Sequence, residues 1–426
     1  MADDARPEIR VERATDGARF LASDKLVWFD ALSPEPLDDQ LLAVPEDQRF
    51  TATVVGAEVD PATYAAIYAV RPMELSVPDG HGGGRPVPVA GLTWVGVHPD
   101  HRRRGLLTAM VRHHFEQARA DGWALSALHA SEAAIYGRHG YGLASLELEI
   151  VTGRGTTFTA PGLEDDAAAI TTRLGTITDE GMAERRRQID LDGLTTNVGT
   201  IVGDADFYTL LMRVQPLETL QSEPPRILVA MRDGRDVGYV VFKRTAKWPD
   251  SRPSSEVDVW QLSGAPAARL ALLRRVTDLD LTGTVKLNGF SPADPIMSWV
   301  HGPRGFSAMN PVDSLWVRLV DLPVAVAARG YEGACDVVVE VDDVSAPWNA
   351  GRWRLRVSDG SGTATRSDDD TEVALPAAAL GAAYLGGGNL AEMLRAGTVR
   401  EHRPGAVAEL WHAFRTAAGP YASRGF

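Results

Sequence analysis

The stretch from Val97 to Met110, VHPDHRRRGLLTAM, combines residue types that suit anion binding. An apolar strand is predicted to end here, three arginines and Gly105 follow, and an apolar-periodic helix begins at once. A helix N-terminus carries unsatisfied backbone N–H groups and the positive end of the helix dipole, which stabilise an anion. Gly105 tolerates positive φ and lets the backbone approach that anion closely. The pattern predicts a pyrophosphate site, and a run of charges on a solvated surface is the alternative.

The strand before this loop carries Gly96 between Val95 and Val97. A glycine inside a strand indicates a bulge or a close backbone approach. We therefore expect a strand that offers free peptide groups to a pantetheine arm.

The segment around the loop alternates between predicted strands and helices. β-Branched and aromatic residues predict the strands, and apolar spacing predicts the helix that follows the arginines. The predicted elements are strands over 49–59, 63–77 and 89–97, a helix from Gly105 to Ala120, a strand over 123–131, a short helix within 132–140 and a strand over 143–151. A strand, a crossover helix and a strand form a parallel or splayed pair.

The segment from about Pro161 repeats this order. Asp233-Gly234 between two apolar runs predicts a hairpin, and the residues that follow predict another strand, helix and strand. Where the first copy has HPDHRRRGLL, the second has SGAPAARLAL, without the arginines and without a glycine at the helix start. We interpret the pattern as an internal duplication whose second copy lost the charged loop. A unit that arose by chance in an ordinary α/β domain is the alternative.

The segment from about Val312 mixes strands and helices in an α+β order and contains no nucleophile, metal or phosphate signature. The predicted fold class is therefore α/β followed by α+β. The predicted domains are residues 1–160, 161–308 and 309–426.

The composition excludes several classes of function. The chain has 426 residues and a formal net charge of −14, which disfavours nucleic acid as a partner and favours cationic ones. The single cysteine, Cys335, cannot form an internal disulfide, and no Cys/His cluster has zinc spacing, so no metal is expected. We see no signal peptide and no apolar run long enough to span a membrane, which predicts a cytoplasmic protein.

Several motifs together resemble one family of enzymes. VGVHPDHRRRGLL resembles the acyl-CoA signature Arg/Gln-x-x-Gly-x-Gly/Ala of GCN5-related N-acetyltransferases (GNAT), with Leu107 in place of the last small residue. HRRRGLL, ALHASEAAIYGRHGYG, LWVRL.DLP.A..ARGY and YLGG resemble, more narrowly, the Eis (enhanced intracellular survival) acetyltransferases of actinobacteria. This resemblance implies two tandem GNAT folds, the second degenerate, followed by a domain like the sterol carrier proteins.

The resemblance also implies where acetyl-CoA binds. The strand stretch, the pyrophosphate loop and the next turn would hold it, which are here Val95, Gly96 and Val97, then Arg103, Arg104, Gly105, Leu106, Leu107 and Thr108, then Ser131 and Glu132.

Transfer of an acetyl group to an amine needs a base, donors for an oxyanion and an acid for the departing thiolate. The resemblance assigns the acid to Tyr136 and the base to the terminal carboxylate of Phe426. A packed helix aromatic is the alternative for Tyr136, and a frayed, solvated end is the alternative for Phe426. Tyr141 is the local competitor for the acid, and we interpret it as structural because it leads into the next strand.

The resemblance implies a broad amine acceptor, such as an aminoglycoside or a lysine side chain. Trp28, Phe29 and Asp30 are candidates for one wall of the acceptor site, with apolar contact from the rings and an ammonium contact from the carboxylate. A helix whose Trp28 lies in the core is the alternative. The resemblance further implies a homo-oligomer, a hexamer, and allows secretion.

A second class of function remains open from the sequence. The chain could be a non-catalytic acyl-CoA or lipid-binding protein whose third domain is the working part. Tyr136 and the intact arginine loop favour the enzyme, since the second copy has lost its loop.

Overall fold

The computed structural model describes residues 7–28, 44–213, 223–421 and 425–426. The first segment contains the predicted unit of strands and a crossover helix. Its elements are β1 (Ile9–Arg13), α1 (Gly17–Trp28), β2 (Arg49–Val54), β3 (Ala66–Pro78), β4 (Gly84–Val97), α2 (Leu106–Ala120), β5 (Leu125–His129), α3 (Ala133–Gly137), β6 (Gly142–Leu143) and β7 (Leu146–Gly153).

The second segment repeats the order, and its two long strands β10 and β11 are joined through Asp233 and Gly234, both at positive φ, as the hairpin signal predicted. Its elements are α4 (Glu164–Ala168), β8 (Thr171–Thr176), α5 (Met182–Gly193), β9 (Ile201–Val202), α6 (Ala205–Arg213), β10 (Arg226–Arg232), β11 (Arg235–Thr245), β12 (Ser255–Gly264), α7 (Pro266–Thr277), β13 (Thr282–Phe290), α8 (Ile296–Trp299) and β14 (Ala308–Asp313).

The third segment is the predicted α+β part of the chain. Its elements are β15 (Leu315–Leu319), α9 (Leu322–Ala328), β16 (Cys335–Asp342), β17 (Gly351–Ser358), β18 (Ser361–Arg366), β19 (Val373–Pro376), α10 (Ala377–Ala383), α11 (Leu390–Arg395), β20 (Arg400–Glu401) and α12 (Ala406–Phe414). These strands, apart from β15, form a sheet in the order β18-β17-β16-β19-β20.

Helix α2 forms because its apolar residues recur at helical spacing and bury one face against the first sheet. Leu106, Met110 and Phe115 on that face are at most 2% exposed. The helix ends before Gly122, whose φ of +81° suits the left-handed residue that commonly stops a helix. The predicted start at Gly105 is one residue early, since Gly105 is the N-cap.

The first sheet has the strand order β1-β2-β3-β4-β5-β15-β6, and β9 also pairs with β3. Strands β4 and β5 are parallel, as the crossover predicted, but they pair only at Ala90 with Ser126 and at Gly91 with Ala127. Beyond these residues the two strands separate. The separation opens a gap in the middle of the sheet.

The two copies exchange a strand. β7, from the first segment, lies between β13 and β14 in the second sheet, whose order is β14-β7-β13-β12-β11-β10-β8. β15, which follows the second segment, lies between β5 and β6 in the first sheet. The same strand order with a reciprocal guest strand confirms the predicted duplication. The predicted domain boundaries stay a prediction, and both exchanged strands lie close to them.

A buried ion pair within the third segment packs against helix α2 of the first segment. Arg318 of β15 and Asp343 are each 1% exposed and paired, and the Arg318 guanidinium carbon lies 4.9 Å from the Phe115 ring centroid of α2. Burial of a paired charge makes this contact specific, because either partner alone would be left uncompensated.

Candidate active site

The arginine loop, which precedes helix α2, is exposed and contains two residues at positive φ. Arg102, Arg103 and Arg104 are exposed and form no ion pair with any residue that the structure describes. Arg103 has φ +62° and Gly105 has φ +86°. An added Cβ on Gly105 would meet only Ile9 Cδ1, at 3.4 Å, so the backbone conformation rather than space requires glycine there. Free cations beside unsatisfied helix N–H groups can hold a multivalent anion.

The predicted bulge is present in β4, but not at Gly96. Ala69 pairs with Thr93 and Ile67 pairs with Gly96, so two β4 residues oppose one β3 residue, and Trp94 has φ +52°. Gly96 instead makes room for helix α1, because a Cβ there would lie 3.1 Å from Val27. Of the two interpretations that the sequence left open for Gly96, the bulge lies two residues earlier in the same strand, and Gly96 itself is a position of close packing.

The gap between β4 and β5 has two different faces. Side chains alternate along a strand, and the bulge shifts this alternation by one residue. Leu92 and Val95 therefore both pack with the cluster under α2, while Thr93 lies on the opposite face. On β5, Ser126 faces α2 and His129 faces the other way with Phe426. Past Gly91 and Ala127 the peptide groups on this side of each strand have no ladder partner in the described register. A narrow ligand chain can pair with them.

Tyr136 lies on the α2 face of the gap. It is 7% exposed and packs in the cluster that contains Leu106, Met110 and Leu128. Burial, assisted by Glu132, raises the pKa of Tyr136 to about 12, so its hydroxyl stays protonated throughout the neutral range. That hydroxyl bonds to no residue within the described ranges.

The hydroxyl of Tyr141, unlike that of Tyr136, is hydrogen-bonded to a described side chain. The Tyr141 hydroxyl lies 2.7 Å from Ser126 Oγ, which lies 2.8 Å from His114 Nε2, and Tyr141 is fully buried. Burial, with a smaller contribution from His113, lowers the pKa of His114 to about 3 and keeps its imidazole neutral. This closed network favours the structural interpretation of Tyr141.

Ser131 and Glu132 are both exposed at the start of α3. Glu132 is the N-cap residue of that helix, and its side chain makes no capping hydrogen bond. Both side chains are therefore free to reach a ligand that enters from the loop.

The chain terminus lies on the other face of the gap. Thr93 Oγ1 donates to a carboxylate oxygen of Phe426 over 3.3 Å, and the Phe426 ring meets the His129 ring edge-on with centroids 5.2 Å apart. A Cβ on Gly91 would lie 3.0 Å from the Phe426 ring, so glycine makes room for it. Thr93, His129 and Gly91 were not identified from the sequence, because no local signal marks residues that meet a distant terminus.

The predicted acceptor wall is described only in part. Trp28 is 49% exposed at the end of α1, which excludes the core interpretation of its side chain. Phe29 and Asp30 lie outside the described residues.

No metal site and no spanning helix are found in the described ranges. Searched for groups of three or more His, Cys, Asp or Glu residues, these ranges contain none that could hold a metal ion. Cys335 is buried, and burial raises the pKa of its thiol to about 12. Among the described helices, none is long and apolar enough to cross a bilayer.

Known protein families match all three segments. A model described as an acetyltransferase (GNAT) domain matches residues 22–144, and a second acetyltransferase (GNAT) model matches residues 209–319. A sterol carrier protein domain matches residues 322–423. Two GNAT folds followed by a domain like the sterol carrier proteins are therefore shown, as the resemblance implied.

Relatives match over most of their length. An uncharacterized N-acetyltransferase of Streptomyces avermitilis is 38% identical over 81% of this chain and 83% of its own. The N-acetyltransferase Eis of Mycobacterium tuberculosis is 29% identical over 87% of each chain. The crystal structure of Eis1 from Mycobacterium abscessus superimposes with a TM-score of 0.79 at 27% identity, covering 98% of this chain and 100% of that one. These findings favour an enzyme over a non-catalytic binding protein. The chain belongs to the Eis-type N-acetyltransferases of the GNAT superfamily.

Proposed function

We propose that this acetyltransferase moves the acetyl group of acetyl-CoA directly to a primary amine. The observation that carries the proposal is the placement of Tyr136 and the terminal carboxylate of Phe426 on opposite faces of one gap in the first sheet. A carboxylate on one face can take a proton from the attacking ammonium, and a phenol on the other face can give a proton to the departing thiolate.

The loop and strands suit acetyl-CoA. Arg103 and Arg104 supply charge to the pyrophosphate, and the backbone N–H groups from Gly105 to Thr108, with Leu106 and Leu107 between them, supply donors. Val95, Gly96 and Val97 would pair with the pantetheine arm, and Ser131 and Glu132 would contact it from the next turn. The exposed arginines, which form no ion pair with the described residues, and the positive φ of Gly105 support this assignment.

The reaction begins with an ammonium held near Phe426. The terminal carboxylate of Phe426, acting directly or through a water, takes a proton from the ammonium. The lone pair of the resulting amine attacks the thioester carbonyl carbon. A carboxylate is a weak base at a reference pKa of about 3.5, so the step depends on close positioning. Backbone N–H groups at the β4 bulge suit the developing oxyanion.

The nitrogen gives up its second proton to water as the carbon–sulfur bond breaks, which leaves a neutral amide and a thiolate. Tyr136 gives its proton to that thiolate. A phenol of raised pKa is a reluctant donor, yet it is always protonated when needed, so its contribution comes from position rather than acidity.

The acceptors we propose are aminoglycosides and lysine side chains. The net charge of −14 favours cationic molecules, and Trp28, Phe29 and Asp30 would form one wall of their site. We also propose a cytoplasmic homo-oligomer, a hexamer as in the resembled family.

The experiment is a thiol-release assay with acetyl-CoA and a panel of amines that includes tobramycin and a lysine peptide. We expect release that depends on both substrates. Absence of release with every amine, together with tight acetyl-CoA binding, would contradict the proposed transfer.

A further inference from the structure

A buried arginine on the Phe426 side of the first sheet forms no ion pair with any residue that the structure describes. Arg71 of β3 is 5% exposed, and its Nε and Nη1 are buried without a hydrogen bond to any described residue. Burial lowers its pKa to about 10, against a smaller opposing effect of Asp204, so the guanidinium is charged at neutral pH. Its nearest recorded aromatic contact is Phe207, whose ring centroid lies 5.0 Å from the guanidinium carbon.

Arg71 shares its surroundings with the chain terminus. It pairs in the β3–β4 register with Gly91, the residue against which the Phe426 ring lies. Phe207, which Arg71 faces, belongs to an apolar cluster on which Phe426 also packs. The guanidinium and the terminal residue are thus neighbours on one face of the sheet.

Among the described residues, nothing offsets the cost of burying the Arg71 charge in full. A charge removed from water destabilises the fold unless another charge or hydrogen bonds compensate it, and one aromatic face compensates only part. Asp204 is exposed, caps α6 through Phe207 N at 2.8 Å, and makes no ion pair with Arg71. Five guanidinium donors in a planar fork match a carboxylate.

We propose that Arg71 binds a carboxylate of the acceptor, so that the preferred acceptors are amines that also carry a carboxylate at the far end. This inference rests on the proposed function, because it takes the amine to lie at Phe426. It ranks the two proposed acceptor classes, since a buried guanidinium favours a lysine that carries its own carboxylate over a polycation such as tobramycin.

The test acceptor must present an amine at Phe426 and a carboxylate at Arg71. Arg71 pairs with Gly91 in the β3–β4 register, and Thr93, which contacts the terminal carboxylate, lies two residues farther along β4. An ω-amino acid such as 6-aminohexanoate, or lysine through its side-chain amine, carries the two groups at opposite ends of a flexible chain.

The test compares 6-aminohexanoate with its neutral isostere 6-aminohexanamide. For the unchanged enzyme we expect kcat/KM to be about tenfold or more higher for the acid, the size of a charge-assisted hydrogen bond. Arg71→Gln should remove the preference by raising KM for the acid alone, and Arg71→Lys should retain part of it. Arg119→Gln is the matched control, because Arg119 pairs with Asp321 away from the gap.

Calorimetry with the products, 6-acetamidohexanoate and its amide, repeats the comparison without turnover. If no amine is acetylated, the proposed function fails, while the two product affinities still decide the role of Arg71. Equal values for acid and amide in the unchanged protein, or a preference that survives in Arg71→Gln, would overturn the inference. An equal fall of kcat for both amines in Arg71→Gln would overturn it as well, because Arg71 would then orient Phe426.

Discussion

The two GNAT folds of this chain differ at the same place, the opening between their central parallel strands. In the first fold, β4 and β5 pair at two positions and then separate, beside a loop of exposed arginines. In the second, β12 and β13 pair from Ser255 to Val259, and α7 starts after Ala265 with a proline at its first turn. The second helix therefore lacks both the charge and the glycine that suit a phosphate.

The buried cation at the second opening is paired with a carboxylate of the same fold. Arg269 of α7 is 5% exposed, pairs with Asp294, and donates to Leu262 O over 2.9 Å. A cavity of about 180 Å³ remains there, lined in part by Trp260, Gln261, Arg269 and Tyr421. A cation already bound to an internal carboxylate has little to offer an external anion.

The chain's own C-terminal segment crosses this second opening. Tyr421 N donates to Val198 O over 2.8 Å, and the Arg269 guanidinium carbon lies 5.6 Å from the Tyr421 ring centroid. Gly199 has φ +93°, and a Cβ there would lie 2.7 Å from Tyr421 O. The second copy thus contacts the segment whose last residue reaches the gap of the first copy.

The largest effect should come from the acid in the first opening. Tyr136→Phe removes the proton donor without changing packing, so we expect kcat to fall by roughly 10² or more with the KM for acetyl-CoA little changed. Steady-state kinetics check this. Tyr141→Phe is the matched control, and a larger loss in that variant would exchange the roles of the two tyrosines.

The charged loop should bind one acetyl-CoA in each chain. Arg104→Ala should weaken that binding by about 1.5 to 3 kcal/mol, the value of a lost charge-assisted hydrogen bond. Calorimetric titration gives both the affinity and the stoichiometry. Two equivalent sites per chain, or an unchanged affinity in the variant, would contradict the difference between the two openings.

The contact of the tail with the second opening should affect the reaction in the first. Tyr421→Ala removes the ring beside Arg269, so we expect the terminus to be held less accurately and kcat to fall roughly tenfold, with acetyl-CoA affinity unchanged. Tyr421→Phe keeps the ring and should be close to unaltered. A kcat for Tyr421→Ala equal to that of the unchanged enzyme would show that the second fold does not position the terminus.

Local patterns sufficed for the elements that carry their own signal. The arginine loop, the helix after it and the Asp233-Gly234 hairpin follow from spacing and turn chemistry within a few residues. A bulge was one of two interpretations of Gly96, and the bulge lies at Trp94, because the glycine at residue 96 serves packing against Val27 instead. Which residue of a strand bulges depends on the partner strand, which a local pattern does not contain.

Long-range contacts were beyond such patterns. The exchange of β7 and β15 pairs strands from distant parts of the chain, and the sequence of neither strand indicates which strand it pairs with. Arg71 lies in a strand where an arginine would ordinarily face water, yet it is 5% exposed because Phe207 of the second segment covers that face. The contacts of Phe426 with Thr93 and His129 were likewise invisible, although the resemblance pointed to the terminus itself.

The most direct test of this account is the addition of one glycine after Phe426. The extension converts the terminal carboxylate to a neutral amide and moves the charge by about 3.5 Å, while every side chain is kept. We predict that most acetyl transfer is lost while acetyl-CoA still binds and the thermal midpoint stays within error, and that an N-terminal tag has no effect. An unchanged kcat of the extended enzyme on the same amine would contradict the account. The base would then be another carboxylate, and Asp30 would be the first candidate to substitute.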